Sequence, residues 1–333
     1  MGAALASGSR KPHLQSVRGT IVSLGLLLAS CATIDARLPD IDAPALATER
    51  TQQETDAFRR MDALQTRLMS VAERIRQSNA SICPRTRPGV GLKTHTLGNY
   101  SKGLRTAAAR ELGAAEEPRV LTVVPDSPAD RAGVEQGDVL VVDERAVSHG
   151  SRAFREAVVS GPVTIRRDGA ERTVRLTPEA ECAYDVRLRM SSAINAYATG
   201  KTITVTSGMM DFVTSDDELA LILGHELAHN TQGHISKIVR TYIFSLGGTR
   251  YARPFESEAD YVGLYYMARA GYAMDGVEDF WARLALVSPR NTNRAKTHPS
   301  TPERAVRIAA ARDEINAKIA AGEPLLPNYK DDE

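Results

Sequence analysis

Residues 219–230 read LALILGHELAHN, an apolar run that ends in two histidines around a glutamate. On an α-helix His225 and His229 lie one turn apart, about 40° around the axis, so both imidazoles can face one ion. Two such ligands are half of a tetrahedral zinc site, and Glu226 follows the first, where its carboxylate can take a proton from an attacking water. The pattern therefore favours a metal-dependent hydrolase over the alternative, a buried helix whose histidines only find hydrogen-bond partners.

A third protein ligand is expected downstream, because a catalytic zinc takes three protein ligands and keeps one position open for water. Glu256 and Asp260 are four residues apart, so on one helix Glu256 can bind the ion while Asp260 accepts a hydrogen bond from a ligating imidazole. Glu258 lies on another face and is the weaker ligand candidate. His234 does not fit the third-histidine register of the extended zinc pattern, so we expect it at the surface or beside a ligand. An ordinary acidic first turn is the alternative for this segment.

The C-terminal part of the chain, from residue 184 onward and here called the catalytic half, resembles a known family. Five motifs between residues 184 and 312 follow the family's order, at 195–198, 203–208, 216–220, 225–229 and 256–263. Together they resemble the M48 family, zinc endopeptidases of the gluzincin type. The resemblance implies one Zn²⁺ per chain, held by His225, His229 and Glu256. It also implies that Glu226 is the catalytic base and that Asp260 orients a ligand.

The same resemblance sets expectations for the fold. It implies an α+β chain whose catalytic domain, at residues 184–323, is mostly helical with a small edge sheet, and a polar tail is expected at 324–333. The strand at 202–206 is expected to border the cleft, where a substrate can add as an extended strand. The segment at 297–304 is similar to the family's His-Pro element, which places His298 near the metal or a substrate oxyanion. An ordinary loop histidine is the alternative for His298.

The length and the net charge of the chain limit its number of domains and its classes of partner. The chain has 333 residues and is 42% hydrophobic, enough for two folded domains. Its formal net charge is +1, which gives no support to nucleic-acid binding through bulk electrostatics. We therefore expect polypeptide substrates and no nucleic-acid partner.

The N-terminus has the features of a targeting segment. Basic residues precede a short apolar run at 20–29, too short for a comfortable transmembrane helix. Residues 28–31 read LASC and resemble a lipobox, which implies a signal peptide at 1–30 and a lipid-modified Cys31 before a tether. An ordinary secretory signal is the alternative. We expect a lipid-anchored protein that faces the periplasm, with the outer membrane favoured because alanine rather than aspartate follows the cysteine; the tether covers 31–45.

Two cysteines remain once Cys31 is assigned to lipid. Cys83 and Cys182 are an even pair, and they flank one segment of the chain. We expect a disulfide between them in an oxidising periplasm, with free buried thiols as the alternative.

A long amphipathic helix is predicted within residues 46–82. Apolar residues recur three or four positions apart among charged ones, at Phe58, Met61, Leu64, Leu68, Val71 and Ile75. Mixed charge and the lack of tryptophan favour packing against the catalytic domain over binding to a membrane surface.

Residues 83–182 predict a small β-rich domain. Strands are expected near 120–124, 139–142, 163–167 and 172–176, with helices near 127–132 and 152–159. Residues 124–140, VPDSPADRAGVEQGDVL, resemble PDZ domains of the bacterial HtrA type, which have a β-barrel-like fold. That resemblance aligns the carboxylate-binding loop, whose N–H groups hold a peptide C-terminus, with Gly89, Val90, Gly91 and Leu92. A different small β domain, or a PDZ fold that binds no peptide, are the alternatives.

Together these features predict a zinc endopeptidase of the bacterial cell envelope. Its substrates are expected to be misfolded or misassembled proteins, with the PDZ domain binding their C-termini, contacting envelope proteins or regulating access. Two alternatives come from other classes. The protein could be a PDZ-based chaperone or adaptor lipoprotein with a latent peptidase site, or a structural lipoprotein that zinc only stabilises.

Overall fold

A long helix runs alongside both halves of the chain. The computed structural model describes residues 40–238, 253–287 and 302–328, and helix α1 spans Ala43–Ser78. Asp42 caps it by accepting a hydrogen bond from the backbone N–H of Ala45. The side chain of Phe58 lies in a small apolar cluster with the middle of the chain, whereas Leu68 and Ile75 belong to the main core. The apolar face of α1 is therefore covered by the protein itself.

Several expectations fall at the edge of the described residues or beyond it. Helix α1 begins inside the segment expected to be a tether. The leader with Cys31 and the loop with His298 lie outside the described residues. Within the described ranges, no helix is both long enough and apolar enough to cross a bilayer.

The middle of the chain, residues 83–182 and here called the middle unit, forms short antiparallel sheets around one apolar core. Its strands are β1 (Thr86–Gly89), β2 (Leu92–His95), β3 (Arg119–Val123), β4 (Val139–Val142), β5 (Arg145–Ala146), β6 (Val163–Arg167), β7 (Ala170–Val174) and β8 (Glu179–Cys182). Its helices are α2 (Arg105–Leu112), α3 (Pro128–Arg131) and α4 (Arg152–Ser160). The strand orders are β5-β4-β6-β7, β2-β3 and β1-β8. Val120, Leu140, Phe154 and Ile165 are buried at the centre.

A disulfide joins the two ends of this unit. Cys83 and Cys182 are bonded, with their Cα atoms 5.6 Å apart. Cys182 also pairs in register with Thr86 across β8 and β1. The disulfide thus closes the unit where it meets α1 and the catalytic half, and Cys182 itself belongs to the main core.

The catalytic half is mostly helical. After β9 (Asp185–Arg189), β10 (Ala196–Ala198) and β11 (Thr202–Thr206) come α5 (Ser207–Phe212), α6 (Asp216–Thr231), α7 (Arg253–Arg269), α8 (Val277–Val287) and α9 (Pro302–Ala321). The described residues therefore form an α+β fold. The sheet order is β10-β11-β9, with β11 parallel to β9 and antiparallel to β10. The expectation that a substrate adds to residues 202–206 as an extended strand is wrong, because both edges of β11 are already paired. That this strand borders the cleft stays a prediction.

Helices α6 and α7 cross with their backbones in contact. A Cβ atom added at Gly224 would lie 2.5 Å from the carbonyl oxygen of Gly263, and one added at Gly263 would lie 2.8 Å from the backbone nitrogen of His225. No side chain fits at either position without moving a helix. This crossing places the histidines of α6 opposite the acidic residues at the start of α7.

We therefore expect Gly263→Ala to push the two helices apart. Overpacking of this kind costs about 1–3 kcal/mol of unfolding free energy, and the shift should also weaken metal binding. Urea unfolding and zinc titration measure the two effects. Gly103→Ala is the matched control, because a Cβ atom at Gly103 meets nothing within 4 Å. Equal behaviour of the two variants would contradict the close crossing.

Candidate metal centre

Three buried side chains converge where α6 and α7 cross. The Nε2 atoms of His225 and His229 are 3.1 Å apart. Glu256 completes the group, with its carboxylate oxygens 3.5 Å from Nε2 of His225 and 3.4 Å from Nε2 of His229. A tetrahedral ion at about 2.0–2.2 Å from each ligand would separate the ligand atoms by about 3.3–3.6 Å. The separations to the two oxygens of Glu256 lie in this range and the separation between the two histidines is about 0.2 Å below it, so the group could hold one zinc-sized ion.

The second nitrogen of His225 is held by an acidic partner. Its Nδ1 lies 2.9 Å from Oδ1 of Asp260, as the four-residue spacing from Glu256 predicts. Arg304 at the start of α9 donates two hydrogen bonds of 2.6 Å to the same carboxylate, from Nε to Oδ2 and from Nη2 to Oδ1. The guanidinium carbon of Arg304 lies 3.6 Å from the ring centroid of Trp281. Asp260 is thus fixed from two sides.

The charges around His225 favour a cation. Burial alone would lower the pKa of His225, but its hydrogen bonds to Asp260 and Glu256 outweigh burial and raise that pKa to about 10. Burial likewise opposes ionisation of Asp260, yet the Arg304 and His225 side chains hold the pKa of its carboxyl below the ordinary range. Two carboxylates in a buried site therefore compensate a positive charge.

Glu226, the predicted base, lies on the same helix as the two histidines. It follows the first ligand on α6 and is buried, with only 4% of its surface exposed. Ser215 caps the start of this helix by accepting a hydrogen bond from the backbone N–H of Glu218. The helix thus carries two candidate metal ligands and a carboxylate next to the first of them.

His234 is buried beside the second ligand. Its side chain is fully buried, and its Nδ1 lies 3.0 Å from Nδ1 of His229. The surface alternative for His234 is therefore wrong. Glu258 lies 3.0 Å from Nε2 of His234, so it contacts that histidine and lies outside the group of three ligands.

Two residues of the site were not among the sequence candidates. Arg304 and Trp281 come from α9 and α8, far along the chain from the zinc motif. The signal for Arg304 was its place at the end of the 297–304 motif. Trp281 carried no local signal. Both also line a cavity of about 240 Å³, together with Glu278, Ala282, Pro302, Ala305 and Ile308.

The predicted carboxylate-binding loop lines a second, larger cavity. Residues 89–92 connect β1 to β2 beside a cavity of about 430 Å³. Its other walls are α4, with Phe154, α1, with Met69, and β9, with Val186. The cavity therefore lies between the middle unit, α1 and the first strand of the catalytic half.

Gly91 is required by the shape of this loop. Its φ is +70°, and an added Cβ atom would lie 2.2 Å from Cβ of Ser127 and 2.6 Å from Oε1 of Glu73. The loop thus packs directly against a buried carboxylate of α1. Burial raises the pKa of Glu73 to about 7, although Arg76 opposes the shift.

We expect Glu73→Gln to stabilise the protein above pH 7. The folded state binds the Glu73 proton more tightly than the unfolded chain does, at an ordinary pKa of 4.5. The contribution of Glu73 to stability is therefore complete below about pH 4.5 and is lost as the pH rises through about 7. Urea unfolding at pH 8 should show a gain of about 1–3 kcal/mol, which disappears at pH 4.5. Glu49→Gln, an exposed change on the same helix, should show no such gain; a pH-independent effect of Glu73→Gln would contradict the prediction.

The two histidines of one helix and the glutamate of a second helix form a group that could hold a single metal ion. Residues 171–249 and 239–312 match the family model described as Peptidase family M48. The relatives include "Metalloprotease LoiP" and "Metalloprotease YcaL" of Escherichia coli (strain K12), 27% and 28% identical, each over 39% of this chain. A "Putative beta-barrel assembly-enhancing protease" of Vibrio cholerae is 24% identical over 46% of this chain.

The family match and the names of these relatives support a metalloendopeptidase. The aligned regions span 62%, 61% and 40% of those three relatives, less than two thirds of each. A crystal structure of the HtrA3 PDZ domain with a phage-derived ligand matches at 20% identity and a TM-score of 0.22. It covers 29% of this chain and 88% of that domain.

Proposed function

We propose that the protein is a zinc-dependent endopeptidase of the bacterial cell envelope, acting on misfolded or misassembled proteins. The observation that carries the proposal is the group formed by His225, His229 and Glu256, whose ligand atoms lie 3.1–3.5 Å apart and could hold one zinc ion. Glu226 stands beside the first ligand, where a general base is needed. No second group of three metal-binding side chains occurs within residues 40–238, 253–287 and 302–328.

In this proposal each residue has a separate task. When bound, zinc polarises the scissile carbonyl and lowers the pKa of the attacking water. Glu226 accepts the proton of that water and returns it to the leaving amine. Asp260 and Arg304 hold the His225 ring at a fixed angle, and the burial of all three ligands keeps bulk water from the polar groups.

Other features support the proposed location and substrates. A lipid on Cys31 would hold the enzyme at the periplasmic face of a membrane, with the outer membrane favoured. The name of the Vibrio cholerae relative refers to β-barrel assembly. Misassembled envelope proteins are therefore the substrates and partners we propose.

We further propose that residues 83–182 are a PDZ-like domain which binds substrate C-termini or regulates access. The support is the loop at 89–92, which needs glycine at Gly91 and lines the cavity of about 430 Å³. Five cationic side chains line the cavity beside the carboxylates of Glu181 and Asp185, and this excess of positive charge suits an anionic carboxylate; the five are Arg76, Arg87, Lys93, Arg155 and Arg187.

Metal removal and restoration test the peptidase. The chain without its predicted signal peptide is first freed of metal with a chelator. It is then reloaded with zinc to one ion per chain and mixed with an unfolded fluorescent protein. We expect cleavage to stop on stripping and to return on reloading, with internal cut sites in the mass spectrum of the products. Circular dichroism of the stripped protein checks that the fold survives. Cleavage that persists without metal, or full zinc loading without cleavage, would overturn the proposal.

A further inference from the structure

The second zinc-ligand candidate, His229, ends a chain of three hydrogen-bonded side chains. Its Nδ1 faces Nδ1 of His234 at 3.0 Å, and Nε2 of His234 faces Oε2 of Glu258 at 3.0 Å. His234 is fully buried, whereas the side chain of Glu258 is 34% exposed. The chain therefore runs from the metal site to the protein surface.

The backbone explains how His234 reaches His229. On a continued helix, a residue five positions later would point about 140° away from His229. Helix α6 instead ends at Thr231, and Gly233 adopts a left-handed conformation with φ +66°. The turn brings His234 back under the ligand, where its ring lies 4.9 Å from that of Phe255 between centroids.

Donor and acceptor rules fix the protons in this chain when Glu258 is ionised and both imidazoles are neutral. An ionised carboxylate only accepts hydrogen bonds, so Nε2 of His234 carries the proton that bonds Glu258. A neutral imidazole has one N–H, so Nδ1 of His234 is an acceptor and Nδ1 of His229 must be the donor. Nε2 of His229 then carries no hydrogen and presents its electron pair toward His225 and Glu256.

We infer that His234 and Glu258 are positioning residues, which hold His229 in the tautomer that presents Nε2 to the metal. The inference rests on the proposed zinc site and extends it. Asp260 does the same for His225 directly, while Glu258 acts on His229 through a neutral ring. The metal affinity of the site therefore depends on an acceptor at position 234.

The zinc affinity of the full mature chain tests this inference. The Kd for zinc is measured by competition with a chromophoric chelator, and Co²⁺ in place of zinc gives an absorption spectrum that reports ligand geometry. His234→Phe keeps a ring beside Phe255 but removes the acceptor, so we expect the Kd to rise about 10–100-fold and the Co²⁺ spectrum to change. His234→Gln restores an acceptor and should recover most of the affinity. Glu258→Gln should have a smaller effect than His234→Phe.

His95→Phe is the matched control, because His95 is a buried histidine of the middle unit that bonds Tyr100 at 2.7 Å. It should destabilise its own surroundings and leave the Kd for zinc unchanged. Wild-type affinity in His234→Phe, or an equal loss in His95→Phe, would overturn the inference. A wild-type chain that binds no zinc would instead overturn the proposed function, so the two failures are distinguishable.

Discussion

Glu226→Gln is expected to lower kcat/KM for peptide hydrolysis by about 10²–10⁴-fold. The change keeps the size of the side chain but removes the carboxylate that accepts the proton of the attacking water. The three ligands stay in place, so the zinc content should remain at one ion per chain. A loss of rate without a loss of metal is the signature of a missing base.

The measurement compares initial cleavage rates of wild type and variant at matched zinc content. Asp216→Asn is the control, since it changes a carboxylate on the same helix whose ion pair with Arg67 is partly exposed, 56% for Asp216 and 31% for Arg67. It should cleave within about twofold of wild type, as exposed pairs contribute little. Unchanged cleavage by Glu226→Gln would contradict its role as base. If wild type and Glu226→Gln both hold zinc and neither cleaves, a latent site in a PDZ-based adaptor becomes the better hypothesis.

The local part of the metal site could be predicted from the sequence. His225 and His229, and likewise Glu256 and Asp260, are pairs four residues apart, and a helix brings such pairs to one face whatever surrounds it. The meeting of the two helices depends on the close contact of Gly224 with Gly263. Nothing in the spacing of the glycines along the sequence predicts that contact.

The non-local part could not be predicted. Arg304 reaches Asp260 from 44 residues further along the chain, and only the packing of α9 on α7 decides which arginine does so. The position of His234 depended on the left-handed backbone at Gly233. The strand at 202–206 was recognised, but its partner β9 comes from the start of the catalytic half, so its edge was misjudged.

The burial of Glu73 could not be predicted from the sequence either. A glutamate in an amphipathic helix usually faces water, yet Glu73 is only 3% exposed because Gly91 of the middle unit packs over it. The helical period places Glu73 away from the predicted apolar face, about 140° around the axis from Leu68. Which second unit would cover that side of the helix is a matter of tertiary packing and cannot be predicted from the local pattern.

Arg304→Ala is expected to cost about 3–5 kcal/mol of unfolding free energy, because it removes the two-pronged guanidinium partner of the buried Asp260 carboxylate and leaves only His225 beside it. Arg304 itself is only 7% exposed, and it also covers the ring of Trp281. The freed carboxylate can shift or take up a proton, and in either case it holds His225 less firmly. We therefore expect zinc affinity to fall about 10–100-fold as well.

Urea unfolding of the metal-free protein and zinc titration separate the two effects of losing Arg304. Arg312→Ala is the matched control: it lies on the same helix and pairs with Glu278, but both side chains are about a quarter exposed. It should cost under about 1 kcal/mol and leave zinc binding unchanged. Arg304→Lys keeps the charge but cannot make the two-pronged contact, so it should fall between wild type and Arg304→Ala. If Arg304→Ala loses stability but binds zinc like wild type, then Asp260 orients His225 without help from the arginine, and the ion pair serves folding alone.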